Sequence, residues 1–410
     1  MQRASDKVNL SDKILKWYDH NARILPFRTH PSDIKNGLRP NPYHVWLSEV
    51  MLQQTTIKAV IDYFHKFIAL WPTIFDLAAA DNDDVMAAWA GLGYYSRARN
   101  LHKCAKLIVS TYDGNFPKDA ETLQKLPGIG PYTSAAIASI AFDQPAPVVD
   151  GNIERVVTRL KQIATPLPDA KSEIRAYVEE ITPQKRPGDF AQAMMDIGAT
   201  LCTPKNPVCG FCPLHQDCAS YKVGDMLKYP VKKPKAEKPH RYGLAVIVID
   251  ENENICVEKM PEKGLFGGMY VFPYTDQLKQ KFSVDKLVNK KDIHTNIHNV
   301  SDCHHWINNI KSIINSDDIE DVDKTVENEL TSTSNKYDSL PTVKHIFTHF
   351  SLDLESVIIR QKNISCGVHQ RLVPLKNLEH IALPSLMKKL LKHLQTYMAA
   401  QKHSEELCLT

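Results

Sequence analysis

Apolar positions recur every three or four residues from Ser11 to about Tyr221, the period of helices that bury one face. Ser11 precedes Ile14, Leu15, Trp17 and Tyr18 and reads as the N-cap of a first helix. The stretch VWLSEVMLQQTTIKAVIDYFHKFIALW reads as one long helix, with Pro72 just past its end. Shorter runs follow at DVMAAW, SRARNLHKCAKLIVSTY, AETLQKL and YTSAAIASIAF, joined by turns such as GLGYY and LPGIGP. A Lys/Pro segment, YPVKKPKAEKPHR, has little to bury and reads as a semi-extended linker. Beyond it the period shifts to strands at YGLAVIVID, NICVEKM, GMYVFP and TVKHIFTHFSLDLESVIIR. The pattern predicts a multidomain chain: an all-α domain over 1–224, a linker over 225–241 and an α+β domain over 242–400. A polar tract near 311–339 interrupts the last of these.

Composition narrows the function classes. The chain has 410 residues, 43% of them hydrophobic, and a formal net charge of +3. That charge is too small to announce a nucleic-acid partner, so any such claim must rest on local features. No apolar run approaches the roughly 18 residues of a membrane span, and the N-terminus lacks a signal-peptide core. A cytoplasmic protein is expected. Four of the nine cysteines, Cys202, Cys209, Cys212 and Cys218, fall in CTPKNPVCGFCPLHQDC. In a reducing compartment that C-x6-C-x2-C-x5-C cluster reads as metal ligation, with iron–sulfur and zinc equally open on chemistry alone.

Three further places carry chemistry. In LPGIG, Gly128 and Gly130 permit positive φ and let backbone approach a phosphate, with helix amides behind them. Asp150 opens the helix of VVDGNIERVVTRL, where a helix N-terminus would keep its carboxylate ionised. Glu49 has Val45 and Trp46 one turn before it and Leu52 and Gln53 one turn after. That apolar setting should raise its pKa and hold a proton near neutral pH, as a general acid requires.

Together these features resemble a known family. The cysteine spacing after a helical domain is similar to the 4Fe–4S loop of the endonuclease III superfamily of DNA glycosylases, and LPGIG resembles its helix–hairpin–helix. SEVMLQQT and GLGYYSRARNL, with Tyr132 where lyase-competent members carry a lysine, resemble the adenine-specific branch, the MutY type. EKGLFGGMYVFP resembles the C-terminal recognition domain of that branch, shaped like a Nudix hydrolase but here without the glutamate cluster that holds metal.

The resemblance implies a two-lobed all-α glycosylase domain with a 4Fe–4S cluster, then a Nudix-like α+β domain, acting as a monomer. Glu49 would protonate adenine, and Asp150 would stabilise the oxocarbenium-like sugar. Tyr132 would lie on the Asp150 side, with Asn152 supporting the same pocket. Gln54 and Tyr94 would wedge into the stack as the base flips out. Phe347, Thr348 and His349 would read the opposite base, Thr348 standing where relatives carry serine. The implied partner is double-stranded DNA with adenine opposite 8-oxoguanine or guanine, and no membrane. The rival readings are an endonuclease III-like lyase for oxidised pyrimidines and a non-catalytic DNA-binding protein. The LPFR variant and the longer stretch from Thr29 to Asn41 depart from the family pattern, so Arg28 receives no role.

Overall fold

The computed structural model describes residues 4–234, 237–278, 338–362, 364 and 366–408. The polar tract near 311–339 lies outside them, except for its last two residues. Two compact units emerge, one of residues 1–82 and 96–235, the other of residues 83–95 and 236–410. The Lys/Pro stretch divides between them. Its first part is tied to the helical unit by Leu167 N donating to Val231 O (2.9 Å) and by a Lys233–Asp169 ion pair (2.7 Å).

In the helical unit, Ala4–Asn21 packs on Lys171–Ile181 and Pro187–Asp196, which also meet Gly151–Lys161. A second group gathers Pro42–Leu52, Ile57–Leu70, Ser96–Tyr112 and Pro131–Phe142. Pro187–Asp196 joins the groups by packing against Pro131–Phe142. That crossing is close because Gly188 faces the backbone of Ser139, only 2.4 Å from where a Cβ would stand.

Two helix boundaries differ from the sequence expectation. The first helix begins at Ala4, so Ser11 is a buried residue inside it and not its N-cap. The long helix breaks in two because Gln54 turns left-handed (φ 56°) and Thr56 starts a new helix, its hydroxyl accepting from Ala59 N. Apolar periodicity runs through the break unchanged, whereas a cap depends on the conformation of single residues.

The second unit is built on one sheet: β1 (His240–Ile249), β2 (Asn254–Lys259), β3 (Tyr270–Val271), β4 (Tyr274–Leu278), β5 (Asp338–Ile346), β6 (Ser351–Arg360) and β7 (Gln370–Pro374). The order is β3-β2-β1-β6-β5, with β4 on β1 and β7 on β2. Only β1 and β6 run parallel among these pairs. The C-terminal helix Ser385–Cys408, which the sequence reading did not single out, packs against β5.

Gly188→Ala should lower stability by about 1–3 kcal/mol, because backbone on the facing helix cannot give way to a methyl. Thermal unfolding of the full chain measures it.

Candidate active site

A cavity of about 660 Å³ in the helical unit is lined by Glu49, Gln54, Gly128, Gly130, Tyr132, Asp150 and Asn152, together with Arg28 and Gln192. The fold therefore gathers residues scattered over a hundred positions around one space.

Glu49 sits near the end of Pro42–Leu52, a helix started by Pro42 and capped by the Asn41 side chain accepting from Tyr43 N (2.9 Å). It is 7% exposed. Burial pushes its carboxyl up from the ordinary range, and Asp150 adds to the push. Tyr132 and Arg28 pull the other way. The Tyr132 hydroxyl donates to Glu49 Oε2 at 2.6 Å. Tyr132 thus bonds to Glu49, where the sequence reading set it on the Asp150 side. Its position on the first turn of Pro131–Phe142, a helix packed on Pro42–Leu52, brings the phenol to that carboxyl. Arg28 is itself held by Asp196, a fully buried carboxylate 2.7 Å away that also pairs with Arg23.

Asp150 caps Gly151–Lys161, its Oδ1 accepting from Ile153 N (2.7 Å) and its Oδ2 from Asn152 Nδ2 (2.8 Å). These bonds and the charge of Arg155 hold the carboxyl down, yet burial outweighs them and the net direction is upward. The helix N-terminus therefore moderates desolvation without overcoming it. Arg155 donates to Asn152 Oδ1 (2.8 Å), Gly198 O (2.6 Å) and Cys202 O (2.7 Å). An unbroken chain of hydrogen bonds thus links the carbonyl of the first cluster cysteine to Asp150.

Cys202, Cys209, Cys212 and Cys218 line a single pocket of about 30 Å³ with Arg159. Arg159 Nη1 lies 3.3 Å from Cys202 Sγ, and its guanidinium also donates to the carbonyls of Thr203 (2.8 Å) and Pro204 (3.0 Å). Burial pushes the Cys212 thiol up to about 12, with neighbouring thiols adding to the rise. A bound cation would reverse that balance, because thiolates are its ligands. Four cysteines around one pocket are a donor set that suits either a zinc ion or an iron–sulfur cluster.

The hairpin glycines divide their work. Gly128 is left-handed (φ 76°), and a Cβ there would meet Asn100 Cβ at 2.7 Å. Gly130 has ordinary extended backbone, contrary to the expectation that both use positive φ; it caps Pro131–Phe142 without a side chain and with open space around it. No side chain caps that helix start, and a helix N-terminus of this kind suits an anion.

Tyr94 and the Phe347–His349 loop belong to the second unit. The loop is the turn between β5 and β6, closed by Phe347 N donating to Phe350 O (2.8 Å). The Phe347 ring stacks on Phe350 (4.6 Å) and touches His345 and Phe266, whereas Thr348 and His349 are exposed. Thr348 Oγ1 lies 3.0 Å from the Tyr94 hydroxyl.

Several contributors escaped the sequence reading. Gln192 lines the cavity, Arg155 bonds to the wall residue Asn152, Asp196 holds Arg28 and Arg23, and Arg159 ties down the cysteine loop. Their polar type on helices with apolar neighbours was the available signal, but which polar residue faces inward depends on packing.

Comparison with known proteins agrees with this layout. Residues 47–184 match the model of the HhH-GPD superfamily of base excision DNA repair proteins, and residues 244–393 match the NUDIX domain. An adenine DNA glycosylase of Buchnera aphidicola subsp. Acyrthosiphon pisum is 33% identical over 94% of this chain and 98% of its own. A human adenine DNA glycosylase is 47% identical over 50% of this chain and 38% of its own. A solved endonuclease III–DNA complex is 25% identical over 55% of this chain and 99% of its own, with a TM-score of 0.45.

Tyr132→Phe removes a bond that stabilises the Glu49 anion, so the carboxyl should titrate at higher pH than in the parent protein. The parent carboxyl should itself titrate above the ordinary glutamate range. Carboxyl ¹³C chemical shifts followed against pH report both.

Proposed function

Because this chain belongs to the adenine DNA glycosylase family, we propose that it excises adenine paired with 8-oxoguanine, or with guanine, in duplex DNA. The chain is a DNA N-glycosylase, a hydrolase of base excision repair. The finer reading rests above all on one observation. A buried carboxyl with a raised pKa shares its cavity with a second carboxyl, and a phenol stands where an amine nucleophile would be needed for strand cleavage.

In the proposed reaction Glu49 donates a proton to ring nitrogen 7 of the flipped adenine. The bond from nitrogen 9 to the sugar C1′ breaks, and its electron pair leaves with the base. Asp150 faces the positive charge that develops on the sugar, in the manner of paired glycosidase carboxylates. Water then adds at C1′ and its surplus proton leaves to a carboxylate or solvent. Asn152 and Arg155 hold Asp150 in place, and Tyr132 orients Glu49 through the 2.6 Å bond. Gln54 and Tyr94 both hold bulky side chains on left-handed backbone, and such strain in a non-glycine residue favours a role in wedging the opened stack. Gly128 and Gly130 serve the DNA backbone. Phe347, Thr348 and His349 serve the base opposite the adenine, Thr348 and His349 offering exposed polar groups and Phe347 the ring beneath them.

Cys202, Cys209, Cys212 and Cys218 would hold a 4Fe–4S cluster. When bound, it orders the irregular loop between them and takes no part in base removal. Membership of the family favours this over a single zinc ion.

Single-turnover reaction with a duplex bearing adenine opposite 8-oxoguanine tests the activity. Strand breaks should appear only after alkali. Glu49→Gln should slow the step by roughly 10²–10⁴ with duplex affinity kept. Breaks without alkali would overturn the reading of Tyr132, and unchanged rates in Glu49→Gln would overturn that of the acid. Iron analysis of protein purified without oxygen should find roughly four iron atoms per chain, lost in Cys212→Ser; one zinc would replace the cluster assignment.

A further inference from the structure

Residues 83–95 leave the helical unit to pack with the sheet of the second unit, although they lie far from it in sequence. The two ends of this segment are fastened differently. At its start, Asp83 accepts from Lys259 Nζ on β2 at Oδ1 (2.6 Å) and from the Tyr270 hydroxyl on β3 at Oδ2 (3.0 Å). Two strands thus bond to this one carboxylate, and Arg371 on β7 covers the Tyr270 ring at 4.0 Å. At its end, Tyr95 accepts from Ser385 N (3.0 Å), and Lys388 Nζ donates to Ala90 O (3.1 Å), both from the C-terminal helix.

Between the fastenings the chain turns sharply. Gly91 (φ 123°), Gly93 (φ 72°) and Tyr94 (φ 48°) are all left-handed, and buried Trp89 donates from Nε1 to Gly93 O (3.1 Å). A tyrosine adopts such backbone only when its surroundings impose it. The result is a 42% exposed ring at the tip, with its hydroxyl against Thr348.

We propose that Asp83 is a positioning residue for Tyr94. It anchors the base of the Asn82–Trp89 helix to β2 and β3, so that the turn carries the aromatic ring at a set height beside the Phe347–His349 loop. This rests on the reading of Tyr94 as a wedge given above. The eight-residue helix is a lever about 12 Å long, and a tilt of a few degrees at Asp83 moves its far end by roughly 1 Å. A stacking ring displaced by that much no longer fills the step it should enter.

The test is a double-mutant cycle in the full-length protein. Affinity is measured for a duplex carrying 8-oxoguanine opposite a 2′-fluorinated, uncleavable deoxyadenosine. Tyr94→Ala should weaken binding roughly 10- to 100-fold through lost stacking. Asp83→Ala should weaken it about tenfold, and the Asp83→Ala/Tyr94→Ala pair should bind no worse than Tyr94→Ala alone. Lys259→Gln, which removes the ion pair from the other side, should repeat the Asp83→Ala result and covers the case in which Asp83→Ala does not fold. Independent, multiplying losses would overturn the proposal, as would unchanged affinity in both Asp83→Ala and Lys259→Gln. Because binding is read without excision, failure of the wild-type protein to release adenine would overturn the proposed activity and leave this coupling still decided.

Discussion

The hydrogen bond from Tyr132 to Glu49 joins the starts and ends of two packed helices, and the geometry of the cavity follows from it. A carboxyl buried among Val45, Trp46 and their neighbours needs a donor, since an unpartnered polar group at that depth costs on the order of 1–3 kcal/mol. A lysine at 132 would meet the need with a charge and so draw the carboxyl fully into its anionic form. A phenol meets it with a neutral donor. Glu49 then keeps a raised pKa and a fixed orientation together, which a general acid requires and which few partners can supply.

The second carboxyl is governed by the same contest, balanced differently. Asp150 gains two hydrogen bonds from the helix start it caps and a nearby guanidinium, yet burial still prevails. Glu49, in the same cavity, is pushed further up by the charge of Asp150. Around them, cations are themselves restrained: Arg28 and Arg23 share Asp196, and Arg155 is bound to four carbonyl or amide oxygens. The charges of the walls are thereby fixed in place, which lets them act on a developing charge without rearranging.

How far the sequence revealed this depended on the range of the interaction. The helical character of the first part and the strand character of the second were legible in periodicity, and the cysteine loop in spacing. The break at Gln54 was not legible, because an apolar pattern is indifferent to one residue turning left-handed. Neither was the partner of Tyr132, which is set by how two helices separated by some eighty residues pack. Gln192 reads as an ordinary helical glutamine until the cavity it lines is seen. The short strands β4 and β7 left too little pattern to notice. Hardest of all was the allegiance of residues 83–95, since their sequence continues the helical pattern on either side while their contacts lie elsewhere.

That divided allegiance has a consequence for how the molecule is made. Lys259 follows Asp83 by 176 residues. At ribosomal speeds of about 5–20 residues per second, the Asn82–Trp89 segment therefore waits roughly 10 to 35 s for the strand that receives it. During that interval the residues of the catalytic cavity, all of which precede position 196, have already emerged and can collapse around one another. Growth of the chain thus separates two events: the chemistry is assembled early, and the aromatic tip comes under control only once the last helix has emerged.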